Sequence, residues 1–437
     1  MKPLNILPAL KLKGAVILPG DKSIAHRAVF LSAISCGKTI LYNFPFNDDC
    51  LATLDIFREL GVKISKANPQ RIIISSKGLN SLKPPKRDLF IKESGTTFRL
   101  LLGLLAAQKF TVTLKAGRAL SSRPMLRVIN PLKQMGADIT SEYPPITIKG
   151  AQLKGIDYKL PVASAQVKSA ILLAGLYAKG YTRIIEPAKT RDHTERMLKL
   201  FKAPVKTSAG AVSIKGLGEL KSPGRIRIPG DLSSAAFFMV AASILPGSKI
   251  TIKNVSLNPG RVGVIKVLRK MGARIKISRD YKNKSCGFEP SGDIIVKSSR
   301  LKGVNVGAKE VPSMIDELPV LMVAGSLAKG RTIFSGVGEL RFKETDRISS
   351  MIENLKKMGA CIRVSKQKGG EEKIIIEGVK KLKGASLKSY GDHRSAMSLI
   401  IASLSAEGRS RIDDISCINK SFPGFVPLLA SLKQRLP

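Results

Sequence analysis

The chain has 437 residues, 43% of them hydrophobic, so it can bury more than one sizeable core. Its formal charge is +42, but the lysines are spread along the whole chain and aromatic residues make up only 5%, without tryptophan; this reads as a solvated basic surface that favours anionic substrates, not as a dedicated nucleic-acid platform. No apolar run reaches the ~18 residues of a membrane span, no charged segment leads into an apolar one at the start, and five cysteines without Cys-x-x-Cys spacing argue against a disulfide framework or zinc knuckle, so a cytoplasmic protein with buried, reduced thiols is expected.

In chain order, the first signal is Pro19-Gly20-Asp21-Lys22-Ser23, between a strand-like run and the apolar helix Ala28 to Ile34. That helix runs to Gly37 and turns into a β-like run at Lys38-Thr39-Ile40; an amphipathic stretch then closes at Leu60-Gly61-Val62. The alternation continues with an apolar helix from Leu100 to Ala107 and an amphipathic one closing at Met135-Gly136-Ala137. A third apolar helix, Ala170 to Tyr177, meets Gly180, and its amphipathic partner ends less clearly at Lys202-Ala203-Pro204. The signature then returns as Pro229-Gly230-Asp231-Leu232-Ser233 and opens a second round. Apolar helices are expected from Ala235 to Leu245, Leu318 to Leu327 and Ala396 to Leu404, with amphipathic runs ending at Met271-Gly272-Ala273 and Met358-Gly359-Ala360. Glycine suits these helix ends because it accepts positive φ.

The period implies six units of roughly 70 residues, three per half, and so an α/β chain of two similar domains. Helices without a polar face belong inside, and their amphipathic partners cover them. The doubled signature repeats the scaffold but not the charge, since only the first copy carries Lys22 and the following Arg27. A chemically asymmetric cleft between the two domains is the expectation.

All three histidines, His26, His193 and His393, sit in arginine-bearing segments. Arginine grips phosphate and carboxylate bidentately, so several such segments suggest a substrate with more than one anionic group. Cys36-Gly37-Lys38-Thr39 mimics the end of a P-loop, but Ser32 stands where its first glycine belongs and the segment follows a helix. His193-Thr194-Glu195 mimics a zinc deaminase signature without the cysteine pair, so no metal site is expected.

The segments Leu18 to Arg27, Ser94-Gly95-Thr96-Thr97-Phe98-Arg99, Arg123-Pro124-Met125, Ser164-Ala165-Gln166-Val167-Lys168-Ser169, Arg191-Asp192-His193, Lys343-Glu344-Thr345-Asp346-Arg347 and Asp392-His393-Arg394 together resemble the 5-enolpyruvylshikimate-3-phosphate synthase family (the 3-phosphoshikimate 1-carboxyvinyltransferases), in a form like its class II branch. The resemblance runs from about Gly14 to Phe425. It implies a two-domain enolpyruvyl transferase fold of six βαβαββ units, with one globe over residues 21–228, the other over 1–20 plus 229–437, and hinge crossings near 20 and 229. It also implies a reaction that joins shikimate 3-phosphate to phosphoenolpyruvate, releases phosphate and needs no cofactor or metal. The partners are then these two small molecules, with no membrane, no specific nucleic acid, and a monomer as the expected state.

The resemblance puts Lys22, Ser23, Arg27, Ser164, Ala165, Gln166, Arg191, Asp316 and Lys343 on shikimate 3-phosphate. It puts Lys22, Gly95, Thr96, Arg123, Gln166, Arg347, Arg394 and Lys420 on phosphoenolpyruvate. Acid and base fall among Lys22, Asp316 and Glu344. The family's base matches Asp316, and Glu344 fits the proton donor, although its cationic neighbours argue for an ionised state and burial on domain closure for the opposite. Taken singly, Arg347 could be a partner of Asp346, Arg394 a partner of Asp392, and Asp316 a helix cap. Lys92-Glu93 stands where relatives carry Gly-Asn, and Arg118 where many carry Asp; both adjoin the phosphoenolpyruvate loop. Gly95 is the position where alanine accompanies glyphosate tolerance, so glycine implies sensitivity. The sister transferase acting on UDP-N-acetylglucosamine is a rival, but its loop cysteine has no counterpart between Gly117 and Met125. A basic nucleic-acid-binding protein on the same repeat is a rival of another class, separable by the salt dependence of its binding.

Overall fold

A computed structural model describes residues 2–68, 70–279, 288–366 and 371–434. They fall into two compact units. One holds Gly20–Ile228 together with a short later stretch that includes Phe288 and Glu289; the other holds the N-terminal residues to Pro19 and the remainder from Pro229 onward.

The unit that begins at Gly20 repeats one motif three times. Cys36–Tyr42 pairs in parallel with Arg225–Arg227 on one side and antiparallel with Arg71–Lys77 on the other, and Lys63–Asn68 completes the sheet. Thr111–Lys115 and Tyr181–Ile185 are the parallel-paired strands of two further four-stranded sheets with the same topology. The strand that completes the first sheet, Arg225–Arg227, comes from the end of the unit, so the three repeats close on themselves. Strand alternation sets the layers: Ile72 and Ile74 are buried while Arg71 and Lys77 on the same strand are exposed.

Three inner helices, Lys22–Ala33, Gly95–Leu105 and Ala165–Gly175, run through this core. From Ala28 to Ala33, from Leu100 to Leu105 and from Val167 to Gly175 every residue is buried, as expected for a helix without a polar face. The second and third helices touch closely at Gly103, where a Cβ would lie 2.1 Å from the carbonyl oxygen of Ala170. Each inner helix is capped by its own side chain: Asp21 accepts from Ile24 N–H, Ser94 from Thr97 N–H and Ser164 from Val167 N–H. The charged residues of these helices, Lys22, Arg27, Arg99 and Lys168, lie within their first two turns, and the later turns are mostly apolar.

The other unit begins the same way. Lys13–Ile17 pairs in parallel with Lys249–Ser256, followed by Ser291–Lys297 and Arg274–Arg279; a second sheet has Asn305–Val306, Arg331–Ser335, Glu372–Glu377 and Cys361–Lys366. The third repeat is looser: Leu382–Lys383 pairs with Ala406–Glu407, and Ser410–Ile412 takes Ser386–Leu387 on one side and the N-terminal strand Leu4–Ile6 on the other. Its inner helices are Leu232–Ile244, Leu318–Ser326 and His393–Leu404. Phe237, Phe238, Phe422 and Phe425 seal it against the helix Phe425–Leu432, with edge-on ring contacts near 5.6 Å.

The thiol expectation needs correcting in part. Cys50 and Cys417 are buried, but Cys36 and Cys361 are exposed thiols, each being the first residue of a strand, on its outward face. Cys286 lies outside the described residues. Among the described residues no helix is long and apolar enough to cross a membrane, and no cluster of three or more His, Cys, Asp or Glu side chains could hold a metal.

Candidate functional site

In the Gly20–Ile228 unit, charged groups gather at the starts of the inner helices. Asp21 caps the first of these helices, and Lys22 pairs with Asp49, 2.8 Å away. Arg27, one turn later, is 4% exposed and uses its guanidinium on three partners: Thr194 Oγ1 at 2.7 Å, the Ser23 carbonyl at 2.9 Å and Ser169 Oγ at 2.8 Å. Arg191 reaches Ser23 Oγ at 3.4 Å. Gln166, just inside the third helix, donates to Thr96 Oγ1 at 2.9 Å and accepts from Arg99 at 2.9 Å. A Cβ on Gly95 would stand 3.0 Å from Arg99 Nη1 and 3.7 Å from Arg123 Nη1, so a bare backbone faces two guanidinium groups there. Ser164 and Ala165 form the cap and first residue of the helix beside Gln166. Lys22, Ser23, Arg27, Ser164, Ala165, Gln166 and Arg191 thus lie on linked segments, as do Gly95, Thr96 and Arg123.

The histidines here are structural. His26 is fully buried, with Nδ1 2.8 Å from Thr53 Oγ1; burial first, then the charges of Lys22 and Arg27, push its pKa well below the usual value and keep the ring neutral. His193 pairs with the fully buried Glu289 at 3.0 Å.

Lys92 and Glu93 take a definite role. Lys92 adopts φ +56°, the left-handed region that favours glycine, and its carbonyl accepts from Gly117 N–H at 2.7 Å. The Glu93 carboxylate accepts from Ala119 N–H at 3.3 Å. Both therefore fasten the turn that begins at Gly117 and leads to Arg123. Arg118, the first residue of that helical turn, is exposed.

In the other unit a second cluster surrounds Arg347, which is 1% exposed. Its Nε donates to Asp392 Oδ2 at 3.0 Å, its Nη1 to Asp316 Oδ1 at 3.4 Å and its Nη2 to Glu344 Oε2. Burial opposes its charge, but these three carboxylates outweigh burial and hold its pKa above the ordinary arginine value. Asp346 is not its partner: it caps the helix Arg347–Lys357 and pairs with Arg341. Arg394 donates to the Asp316 carbonyl at 3.1 Å, and its side chain also lies 3.8 Å from the Asp316 carboxylate; Asp392 meanwhile caps the helix at its backbone. Asp316 does not cap the next helix, whose cap position is Glu317, without a side-chain cap bond. Lys343 is half-buried, and burial pulls its pKa below the usual lysine value although Asp316 pulls the other way. Lys420 donates to the Gly391 carbonyl at 3.4 Å.

The second copy of the signature is chemically different from the first. Asp231 Oδ1 accepts from Ser233 N–H at 2.9 Å, and the Ser233 hydroxyl is tied into a buried group with Arg261 and Glu317. Arg261, Asp49, Ser169 and Thr194 were not singled out from sequence. Ser169 and Thr194 lay in motifs already quoted; Asp49 and Arg261 carry no local signal, because their partners are distant in the chain.

The EPSP synthase family profile, described as 3-phosphoshikimate 1-carboxyvinyltransferase, matches residues 7–429. A protein of that name from Desulforamulus reducens is 46% identical over 430 residues, covering 98% of both chains, and one from Citrifermentans bemidjiense is 46% identical over 440 residues, covering 100% of both. A solved EPSP synthase from Acinetobacter baumannii is 42% identical, with a TM-score of 0.87 over 99% of this chain and 98% of its own.

Proposed function

The chain belongs to the EPSP synthase family, and from that premise we propose how its residues divide the work of the reaction. The reaction transfers the enolpyruvyl group of phosphoenolpyruvate to the 5-hydroxyl of shikimate 3-phosphate and releases phosphate. Protonation of the methylene carbon and loss of the 5-hydroxyl proton give a tetrahedral adduct; loss of a methyl proton and of phosphate restores the enol ether.

Lys22, Ser23, Arg27, Ser164, Ala165, Gln166, Arg191, Asp316 and Lys343 bind shikimate 3-phosphate in this reading. Lys22, Gly95, Thr96, Arg123, Gln166, Arg347, Arg394 and Lys420 bind phosphoenolpyruvate. The observation that carries the reading is the Arg347 cluster. Two carboxylates, Asp316 and Glu344, are oriented by one buried guanidinium while cationic charge stands beside them. Asp316 then takes the 5-hydroxyl proton, and Glu344, with Lys22, handles the proton of the methylene carbon. The chain passes between its units near residues 20 and 229 and again around the short stretch that holds Phe288 and Glu289; the first two are the proposed hinges. The surface thiols of Cys36 and Cys361 suit a reducing, cytoplasmic setting, and a monomer is the proposed working form.

The test is phosphate release from purified protein with both substrates and with each omitted, run in water and in deuterium oxide. Release must require both. Glu344→Gln should suppress deuterium entry at the methylene carbon, and Asp316→Asn should abolish turnover at saturating substrate, beyond any loss of shikimate 3-phosphate affinity. Loss of neither property in either variant would overturn the assignment.

A further inference from the structure

We propose that Thr194 and Ser169 are positioning residues that set the plane of the Arg27 guanidinium and so control affinity for the phosphate of shikimate 3-phosphate. The inference rests on the reading above that Arg27 binds that substrate.

Thr194 and Ser169 are 2% and 1% exposed, so neither is presented to solvent. Their hydroxyls lie 2.6 Å apart, and each accepts from a different nitrogen of Arg27, Nε to Thr194 at 2.7 Å and Nη2 to Ser169 at 2.8 Å. Ser169 Oγ also stands 2.6 Å from the Ala165 carbonyl. A carbonyl only accepts and each hydroxyl has one proton, so the directions follow. Ser169 donates to Ala165, Thr194 donates to Ser169, and both accept from Arg27. Turning either hydroxyl away breaks the bond it donates, Ser169 to the Ala165 carbonyl or Thr194 to Ser169, and aims its proton toward the buried cation. The donor–acceptor chain therefore fixes the guanidinium plane, which a bidentate phosphate contact requires.

The same two positions are stapled by their chain neighbours. Lys168, 1% exposed, forms ion pairs with Glu195 at 2.6 Å and Glu186 at 3.0 Å. This holds the helix Ala165–Gly175 in register with the helix His193–Leu200. Three segments proposed for shikimate 3-phosphate meet at the hydroxyl pair: the Lys22–Arg27 turn, the Ser164–Gln166 turn, and the loop of Arg191 that leads into Thr194. The hydrogen bonds of the pair go to Arg27, to Ala165 and to each other, none of them proposed for phosphoenolpyruvate, so its effect should fall mainly on one substrate.

The experiment measures KM for each substrate and kcat in Thr194→Val, Thr194→Ser, Ser169→Ala, Arg27→Ala and the double variant Arg27→Ala/Thr194→Val. Thr194→Val keeps the shape and removes the hydroxyl. It should raise KM for shikimate 3-phosphate by about tenfold or more, the scale of a lost hydrogen bond to a charged group. KM for phosphoenolpyruvate should stay within about twofold, and Thr194→Ser should restore most of the loss. In the Arg27→Ala background the Thr194→Val effect should vanish, because it acts through Arg27. Should Thr194→Val not fold, Ser169→Ala carries the same expectation. Equal rises in both KM values, or no rescue by serine, would overturn the proposal. If Arg27→Ala itself left KM for shikimate 3-phosphate unchanged, the underlying site assignment would fail instead.

Discussion

Replacing Arg347 with methionine should cost the protein more than any other single side-chain change at the site. The guanidinium is 1% exposed and meets Asp392 at 3.0 Å, Asp316 at 3.4 Å and Glu344. At an effective dielectric of about 20, unit charges near 3.2 Å attract by a gross ~5 kcal/mol per pair. Much of this offsets the desolvation of the cation, and the Glu344 pair counts for less because its side chain is 30% exposed. Removing one member of a buried ionic group leaves the rest uncompensated, which typically destabilises by about 3–5 kcal/mol. Asp392 is 0% exposed and would be left with its charge buried. For a unit of this size that loss corresponds to a melting shift of about 6–20 °C. Arg347→Lys should not restore it, because one ammonium cannot reproduce three bonds donated from Nε, Nη1 and Nη2 in one plane. Arg347 has a raised pKa, so its contribution is complete below the ordinary arginine value and lost only above it; the difference between native and variant should not change between about pH 6 and 9. The assay is urea and thermal unfolding of native, Arg347→Met and Arg347→Lys proteins at several pH values. A loss below about 1 kcal/mol, or full rescue by lysine, would refute the view that this buried guanidinium organises the cluster.

Other outcomes follow from the same geometry. His26 has a depressed pKa, so below pH ~6.5 the unfolded chain takes up a proton that the folded one refuses; stability should fall by about 1.4 kcal/mol per pH unit there, and His26→Gln should flatten that slope in acid titrations of unfolding. Gly95 does not need positive φ and its nearest neighbour is the tip of a flexible arginine, so Gly95→Ala should fold with a melting shift under about 2 °C. The same variant should raise KM for phosphoenolpyruvate several-fold by displacing Arg99 and crowding Arg123, and steady-state kinetics would show it. Iodoacetamide on native protein should label Cys36 and Cys361 quickly and spare Cys50 and Cys417, whose thiol burial pushes up to about 11 in the case of Cys417; peptide mass mapping reads this directly.

Much of the architecture was legible in the chain itself. Inner helices announce themselves because a helix such as Leu232–Ile244 is apolar on every side, and the glycines after them because positive φ selects glycine, as at Gly180 and Gly330. Asp21, Ser94 and Ser164 read as helix starts because capping is a bond to the next few residues. These signals depend only on neighbours along the chain. The resemblance put residues 1–20 with the second globe, but the pairing of Leu4–Ile6 with Ser410–Ile412 carries no local signal, because the two strands come from opposite ends of the sequence.

The partners of the charged residues belong to the tertiary structure. Sequence proximity offered Asp346 to Arg347, but Asp346 is used by its own helix and by Arg341, and packing brings Asp392 and Asp316 to Arg347 instead. Arg27 finds Thr194 across 167 residues. Exposed Cys36 shows the same division, since burial of a thiol depends on which strand face meets the core. Periodicity and capping are short-range and so are written in the sequence; the choice of ionic partner is made in space, where burial makes each unpaired charge too costly to leave and only the fold decides which opposite charge is within reach.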